Sequence, residues 1–299
     1  MDGPPTLYSL RAFKLGLVLA RILPRSLAQR LAPRIGRATV ARRPDERAAL
    51  RGNLRLVTGD DIGLDSLCAE NVANFSRMLA DYFLCAATAG ECADRLLECW
   101  NGIEHIEAAR ARGKGVILVT AHLGNWELGG ILLARHGLPL NVVTLEEPSS
   151  ELTRWRDAYR RRLGIKTIAV GPGHDFASVE MIHALRRNEI VAMLVDRPYA
   201  GTGSSVTLLG QRTEFSSAPA LLWQHTDAAV VPAFVLQNPG GRYVSFADPM
   251  LPFAPANDPR AGIAANTQRL ATHFETIIRQ HPEQWFNYVP IWNTPAASS

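Results

Sequence analysis

The chain has 299 residues, 47% of them hydrophobic, and a formal net charge of +4, enough apolar content for one large α/β domain or one domain with a helical extension. No uninterrupted apolar run reaches the roughly eighteen residues of a membrane-spanning helix. The best run, Leu15–Leu23, is broken by Arg21 and lacks the small-residue cleavage site of a signal peptide. Four cysteines (Cys68, Cys85, Cys92, Cys99) with no CxxC pair argue against a disulfide framework and against a zinc site. Their usage points to a reducing, cytosolic compartment, and the heptad spacing of the last three reads as small core residues on one helix face.

The charge is uneven. Residues 1–43 hold nine Lys or Arg and one acid (Asp2), net +8, while the rest of the chain is net −4. A basic end on a slightly acidic body suits an anionic surface as partner. Leu7–Ile35 reads as a helix with Arg11, Lys14, Arg21 and Arg25 on one arc, Val18 among them, and Leu10, Phe13, Leu17 and Ala20 largely opposite. This pattern predicts a helix lying in a membrane interface, the alternative being an amphipathic helix packed on its own domain. Residues 1–43 are thus read as a membrane-associating segment and 44–299 as a single domain, helical over 44–112 and α/β over 113–299.

Within that domain the expected helices are Pro44–Leu56, Ser66–Ala86, Cys92–Trp100 and Ile103–Arg112. After Gly113-Lys114-Gly115, short apolar strands alternate with helices. The strands are Val116–Thr120, Leu140–Leu145, Lys166–Val170, Ile190–Val195, Ala229–Leu236 and Arg242–Phe246. The helices are Leu128–Arg135, Leu152–Leu163, Phe176–Arg187, Ala218–Thr226 and Ala261–Gln280. The alternation predicts an α/β fold with a central, mostly parallel sheet flanked by helices.

The segment GVILVTAHLGNWELGG (Gly115–Gly130) carries the chemistry. A buried strand delivers His122 to a carboxyl edge of the sheet, where open α/β sheets place their sites. Glu127 follows in the first turns of a helix. Histidine suits proton abstraction near neutral pH, and a carboxylate on its other ring nitrogen would hold the tautomer. Gly124 permits a tight turn, and N–H groups at the helix start can receive an oxyanion. On residues alone, a structural histidine is the competing reading. The chain has no GxSxG, HExxH or P-loop motif.

TAHLGNWELGG resembles the first motif of the bacterial lipid A biosynthesis (late) acyltransferases, in the glycerophospholipid acyltransferase-like superfamily marked by His, four residues, then Asp or Glu. Three further blocks resemble that family in the same order: Arg160-Arg161-Arg162-Leu163-Gly164, LVDRP at Leu194–Pro198, and HPEQWFNYVPIW at His281–Trp292. Phosphatidylinositol mannoside acyltransferases look like members of the same group.

The resemblance implies an O-acyltransferase in which His122 deprotonates an acceptor hydroxyl and no acyl-enzyme forms. Glu127 would orient His122 or help position substrate, and Asp196 would share that role; an ion pair of Asp196 with Arg197 or with an Arg of 160–162 is the competing reading. The expected substrate contacts are Arg160, Arg161, Glu146, Arg197 and Asn125, with Arg160 holding a donor phosphate or developing charge. The donor would be an acyl carrier protein or coenzyme A thioester, with no metal or other cofactor. The acceptor would be a lipid A precursor or related glycolipid, alternatively a phosphatidylinositol mannoside or another specialised lipid. Trp126 reads as packing; Trp285 and Trp292 line an acyl groove or seal the core. A weak amino-terminal anchor and the ending NYVPIW depart from many lipid A enzymes. They favour peripheral or monotopic attachment at the cytoplasmic face of the inner membrane and leave the acceptor open. A catalytically silent lipid-binding protein and a hydrolase are the alternative classes; nothing supports a nucleic-acid binder.

Overall fold

The computed structural model describes residues 10–146, 149–198 and 202–292, with side chains from residue 12 onward. Four helices open the chain: α1 Leu10–Ile22, α2 Arg25–Ala41, α3 Pro44–Thr58 and α4 Leu64–Ala87. The single helix expected over Leu7–Ile35 is divided at Pro24, which offers no N–H and disfavours a helical Leu23. Its first three residues lie outside the described residues. After α4 come α5 Ala93–Leu96, β1 Leu97–Asn101, α6 Ile103–Ala111, β2 Val116–Thr120, α7 Trp126–Arg135, β3 Leu140–Leu145, α8 Ser150–Arg162, β4 Lys166–Val170, α9 Ala177–Arg186 and β5 Ile190–Leu194. The chain continues through β6 Gly203–Leu208, β7 Gln211–Ser216, α10 Ala218–Thr226, β8 Ala229–Gln237, β9 Tyr243–Ala247 and α11 Pro259–Gln280.

Among the described residues, seven strands form one sheet in the order β1-β9-β8-β2-β5-β3-β4, parallel except for the β8–β9 hairpin. β2 is central and pairs in parallel with both β5 and β8. All five of its residues are buried, as helix layers on both faces require of a central parallel strand. One face is covered by α3, α9, α10 and α11 through Leu54, Leu185, Leu222 and Phe274; the other meets α6 and α7 through Ile106 and Leu133. Each large side chain so buried contributes about 1.5–3 kcal/mol relative to exposure. No helix among the described residues is long and apolar enough to cross a membrane.

Two expectations are corrected. Cys92–Trp100 is helical only over α5; Leu97–Asn101 is the edge strand β1, paired with β9. A partner strand far along the chain decides this, and local pattern does not report it. The three heptad-spaced cysteines therefore share no helix: Cys85 lies in α4, Cys92 precedes α5 and Cys99 is exposed in β1. The hairpin β6–β7 was not anticipated. Its Leu209-Gly210 turn has positive φ at both residues (52° and 75°), and Val206, Leu208, Thr213 and Phe215 face inward.

One face of α1 and of α2 packs on the protein. Phe13 is buried against Tyr82, Phe83 and Trp155, and Leu17 packs in the same cluster, while Leu15, Val18, Leu19 and Ile22 of α1 stay exposed. The side chain of Arg11 lies outside those described. Arg25 is committed inward: Nε and Nη2 donate to Asp81 at 2.7 and 2.8 Å, and Asp81, 1% exposed, also accepts from Tyr243 Oη at 2.9 Å.

Candidate active site

β2 and β5 run side by side with Thr120 opposite Leu194, so the residues just beyond each, His122 and Asp196, emerge together at the carboxyl edge. The His122 backbone N–H donates to both Asp196 oxygens at 3.1 Å, and its Nδ1 lies 2.8 Å from Oδ1. Asp196 is 1% exposed and also accepts from Trp285 Nε1 at 3.0 Å and Asn287 Nδ2 at 2.9 Å. Burial pushes the Asp196 carboxyl up, but His122, Arg197 and Asn287 outweigh it and hold the group well below the usual carboxylate range. An ionised carboxylate at 2.8 Å requires Nδ1 to carry the proton. Nε2 then keeps the lone pair, on a ring whose side chain retains 21% exposure. Arg197 Nε lies 3.1 Å from Nδ1; a nitrogen already donating to Asp196 cannot also accept, so Arg197 acts there as a nearby cation. Burial lowers the His122 pKa from 6.5, Asp196 opposes that, and Arg197 adds to it, which keeps the imidazole neutral near pH 7.

The loop after His122 is held from two sides. Gly124 (φ 65°) donates to Gln284 O at 2.9 Å, Asn125 N–H to Val235 O at 2.7 Å, and Phe286 N–H to His122 O at 2.6 Å. A Cβ on Gly124 would lie 2.1 Å from Val235 O. Gly124→Ala is expected to lose about 1–3 kcal/mol of stability by strained φ alone, with more from the clash, read as a lower midpoint in urea unfolding. Asn125 is buried and caps α7, its Oδ1 accepting from Leu128 N at 3.0 Å. The N–H groups of Gly124, Asn125 and Leu128 are thus already bonded, which narrows the expected oxyanion donors.

Glu127 is not on His122. Its Oε1 accepts from Arg156 Nη2 at 2.6 Å and Arg160 Nη2 at 3.1 Å. Burial pushes this carboxyl up, and the two guanidiniums outweigh it. The three groups sum to one positive charge. Arg156 was missed in the sequence, although it precedes Arg160 by one helical turn on the same face of α8. Arg160 is buried, whereas Arg161, one position on, is exposed. Glu146 follows β3 at the same sheet edge, exposed, 3.1 Å from His174 Nε2. Trp285 is fully buried and seals the core beneath Asp196; it does not line a groove. Trp126 faces the His122 ring at 5.4 Å between centroids and continues to Phe286 and Phe75, an aromatic wall beside the imidazole. Trp292 forms an isolated bridge with Thr213 and packs partly buried against the core. Among the described residues, no three His, Cys, Asp or Glu side chains converge as a metal would need.

This arrangement, an imidazole backed by a carboxylate beside a cationic cluster and an aromatic wall, can take a proton from a hydroxyl next to an anionic, apolar-tailed ligand. The chain matches the family model described as bacterial lipid A biosynthesis acyltransferase over residues 7–294. It is 30% identical over 249 residues to a phosphatidylinositol mannoside acyltransferase of Mycobacterium tuberculosis, covering 81% of this chain and 76% of that protein. It is 27% identical over 282 residues to a protein of the same name from Mycolicibacterium smegmatis, covering 93% and 89%. The chain belongs to the bacterial lipid A biosynthesis acyltransferase family and is an acyltransferase.

Proposed function

We propose that this enzyme moves a fatty acyl group from an acyl carrier protein or coenzyme A thioester directly to a hydroxyl of a glycolipid, with His122 as general base. The observation that carries the reading is the 2.8 Å contact of His122 Nδ1 with ionised Asp196, which leaves Nε2 as the proton acceptor. Nε2 takes the hydroxyl proton, the alkoxide oxygen attacks the thioester carbonyl, and a tetrahedral oxyanion forms. Collapse breaks the C–S bond, and the departing thiolate takes the proton back from Nε2. Asp196 offsets the transient imidazolium. The net positive charge of Glu127, Arg156 and Arg160 suits a phosphate or the oxyanion, with Glu127 fixing both guanidiniums in place. The half-buried rings of Trp126 and Phe75, backed by buried Phe286, suit the acyl chain.

For the acceptor, the 30% identity to phosphatidylinositol mannoside acyltransferases favours a mannosylated inositol phospholipid over a lipid A precursor. The test is mass spectrometry of reactions with purified protein, each thioester donor and each acceptor class. Acylated mannoside is expected. Free fatty acid with no acylated acceptor would replace the transferase reading with a hydrolase, and acylated lipid A precursor alone would reverse the acceptor assignment.

The site would work at a membrane surface, on the cytoplasmic face, through α1 and α2. The exposed side of α1 carries Leu15, Val18, Leu19 and Ile22 beside Lys14 and Arg21, and α2 exposes Leu27, Leu31 and Ile35 beside Arg30, Arg34 and Arg37. Those three arginines line a groove of about 620 Å³ that also takes in Arg77 and Gly240. Because Arg25 is bound to Asp81, the membrane contacts fall on Arg30, Arg34 and Arg37. Replacing all three by glutamine should weaken binding to phosphatidylglycerol vesicles on the order of a hundredfold, at about 1 kcal/mol per cation. Unchanged co-sedimentation would remove α2 from the membrane contact.

A further inference from the structure

The end of α4 and the turn that follows bring two thiols together outside the candidate active site. Cys85 lies in the last turns of α4, and Cys92 is the residue before α5. Between them the chain reverses: Ala89 and Gly90 take positive φ (48° and 81°), and the Gly90 N–H donates to Cys85 O at 2.7 Å. A Cβ on Gly90 would lie 2.9 Å from Leu163 Cδ2 and 3.1 Å from Ile131 Cγ2, so the turn is seated tightly against the middle of α7 and the residue that ends α8. The result is that Cys85 Sγ and Cys92 Sγ are 2.8 Å apart, each residue 2% exposed. That separation exceeds a covalent S–S bond by less than about 1 Å.

We propose that Cys85 and Cys92 form an oxidisable pair that closes to an intrachain disulfide when a peroxide reaches the α4–α5 turn. Cys92 is the attacking group. Either sulfur can donate in this contact; with the Cys85 S–H donating to Cys92, the Cys92 thiol falls to about 7 while the same contact and burial push Cys85 up. The Cys92 thiolate attacks one oxygen of hydrogen peroxide and the O–O bond breaks. Cys92 becomes a sulfenic acid, and the departing hydroxide takes a proton to become water. Cys85 sulfur then attacks Cys92 sulfur, the S–O bond breaks, and the second hydroxide leaves with the Cys85 proton as water. The two thiols lose two electrons, and peroxide gains them. Peroxide is small enough to enter by local opening at the turn, where Ala89 and Glu91 are exposed. The bond would tie α4 to α5 in the cluster that also holds Leu128 and Tyr159, directly behind Glu127 and Arg160.

Both cysteines fall in the tryptic peptide Met78–Arg95, which makes the test direct. Full-length wild-type protein is treated with hydrogen peroxide, denatured, alkylated with iodoacetamide and digested. The expected result is a Met78–Arg95 peptide lighter by two hydrogens that takes no alkyl group until it is reduced with dithiothreitol. In Cys85→Ala, the same treatment should leave Cys92 as a sulfenic acid trapped by dimedone. A wild-type peptide that still takes two alkyl groups after exposed Cys99 has been consumed would overturn the proposal. So would sulfinic or sulfonic acid at either position in place of the two-hydrogen loss. The wild-type readout stands even where the variant fails to fold, and it is independent of the transferase assay.

Discussion

His122→Ala is expected to lower kcat for acyl transfer by roughly 10²–10⁴-fold, the range that a positioned general base supplies, with the protein still folded and still bound to vesicles. The ring is bonded through Nδ1 and edged by Trp126, with no role in the central core, so its removal leaves the sheet intact. The far-ultraviolet spectrum and vesicle co-sedimentation check that separately from turnover. Transfer near the wild-type rate would remove His122 from the chemistry. The same residue sets the acid limb of the rate profile. Its pKa is lowered from 6.5 by burial, so kcat/KM should stay level as the pH falls to that value and drop only beneath it. The stability sign follows from the same direction. The unfolded chain binds this proton more readily than the folded one, so the contribution is present above the unfolded pKa and is lost progressively as the pH falls below it.

Asp196→Asn should be nearly as damaging, a fall of roughly 10³–10⁴ in kcat, the order seen when a triad carboxylate becomes an amide. Asp196 accepts from four donors: the His122 backbone N–H, Nδ1, Trp285 Nε1 and Asn287 Nδ2. An amide has one accepting oxygen, so its NH₂ must face one of those donors. Facing Nδ1, it would turn the imidazole to the tautomer that presents Nε2–H and cannot take a proton. Placed at Oδ2, it would face both Trp285 Nε1 and Asn287 Nδ2 and leave two buried donors unsatisfied at about 1–3 kcal/mol each, visible as a lower unfolding midpoint. Glu127→Gln should cost less, roughly 10–100-fold, because it weakens charge-assisted bonds to Arg156 and Arg160 and leaves the His122–Asp196 pair in place. A Glu127→Gln loss larger than that of Asp196→Asn would make Glu127 the orienting carboxylate.

His122 and Glu127 stand five residues apart on a strand and the helix that follows, which made their shared edge readable from sequence and suggested that they pair. The fold assigns the pairing otherwise. Asp196, 74 residues away, reaches Nδ1 because β5 lies beside β2 in register, whereas Glu127 turns toward α8. Asn287, inside the HPEQWFNYVPIW block, gave no local sign that it would bond Asp196. The edge strand β1 was misread because LECWN does not alternate, and its extended form rests on β9. The β6–β7 hairpin was missed because Leu-Gly is a weak signal for a turn that prefers Asn-Gly.

The residue pattern by itself determined the alternation of strands and helices, the buried central strand and the delivery of His122 to its carboxyl end. Each of these depends on neighbours within a few residues, through hydrophobic period and turn chemistry. Only the tertiary structure decided which carboxylate holds the imidazole, that Arg25 serves Asp81 rather than a membrane, and that Cys85 meets Cys92 across a reversed turn. Those outcomes are set by strand register and helix packing, which join residues that no local period connects.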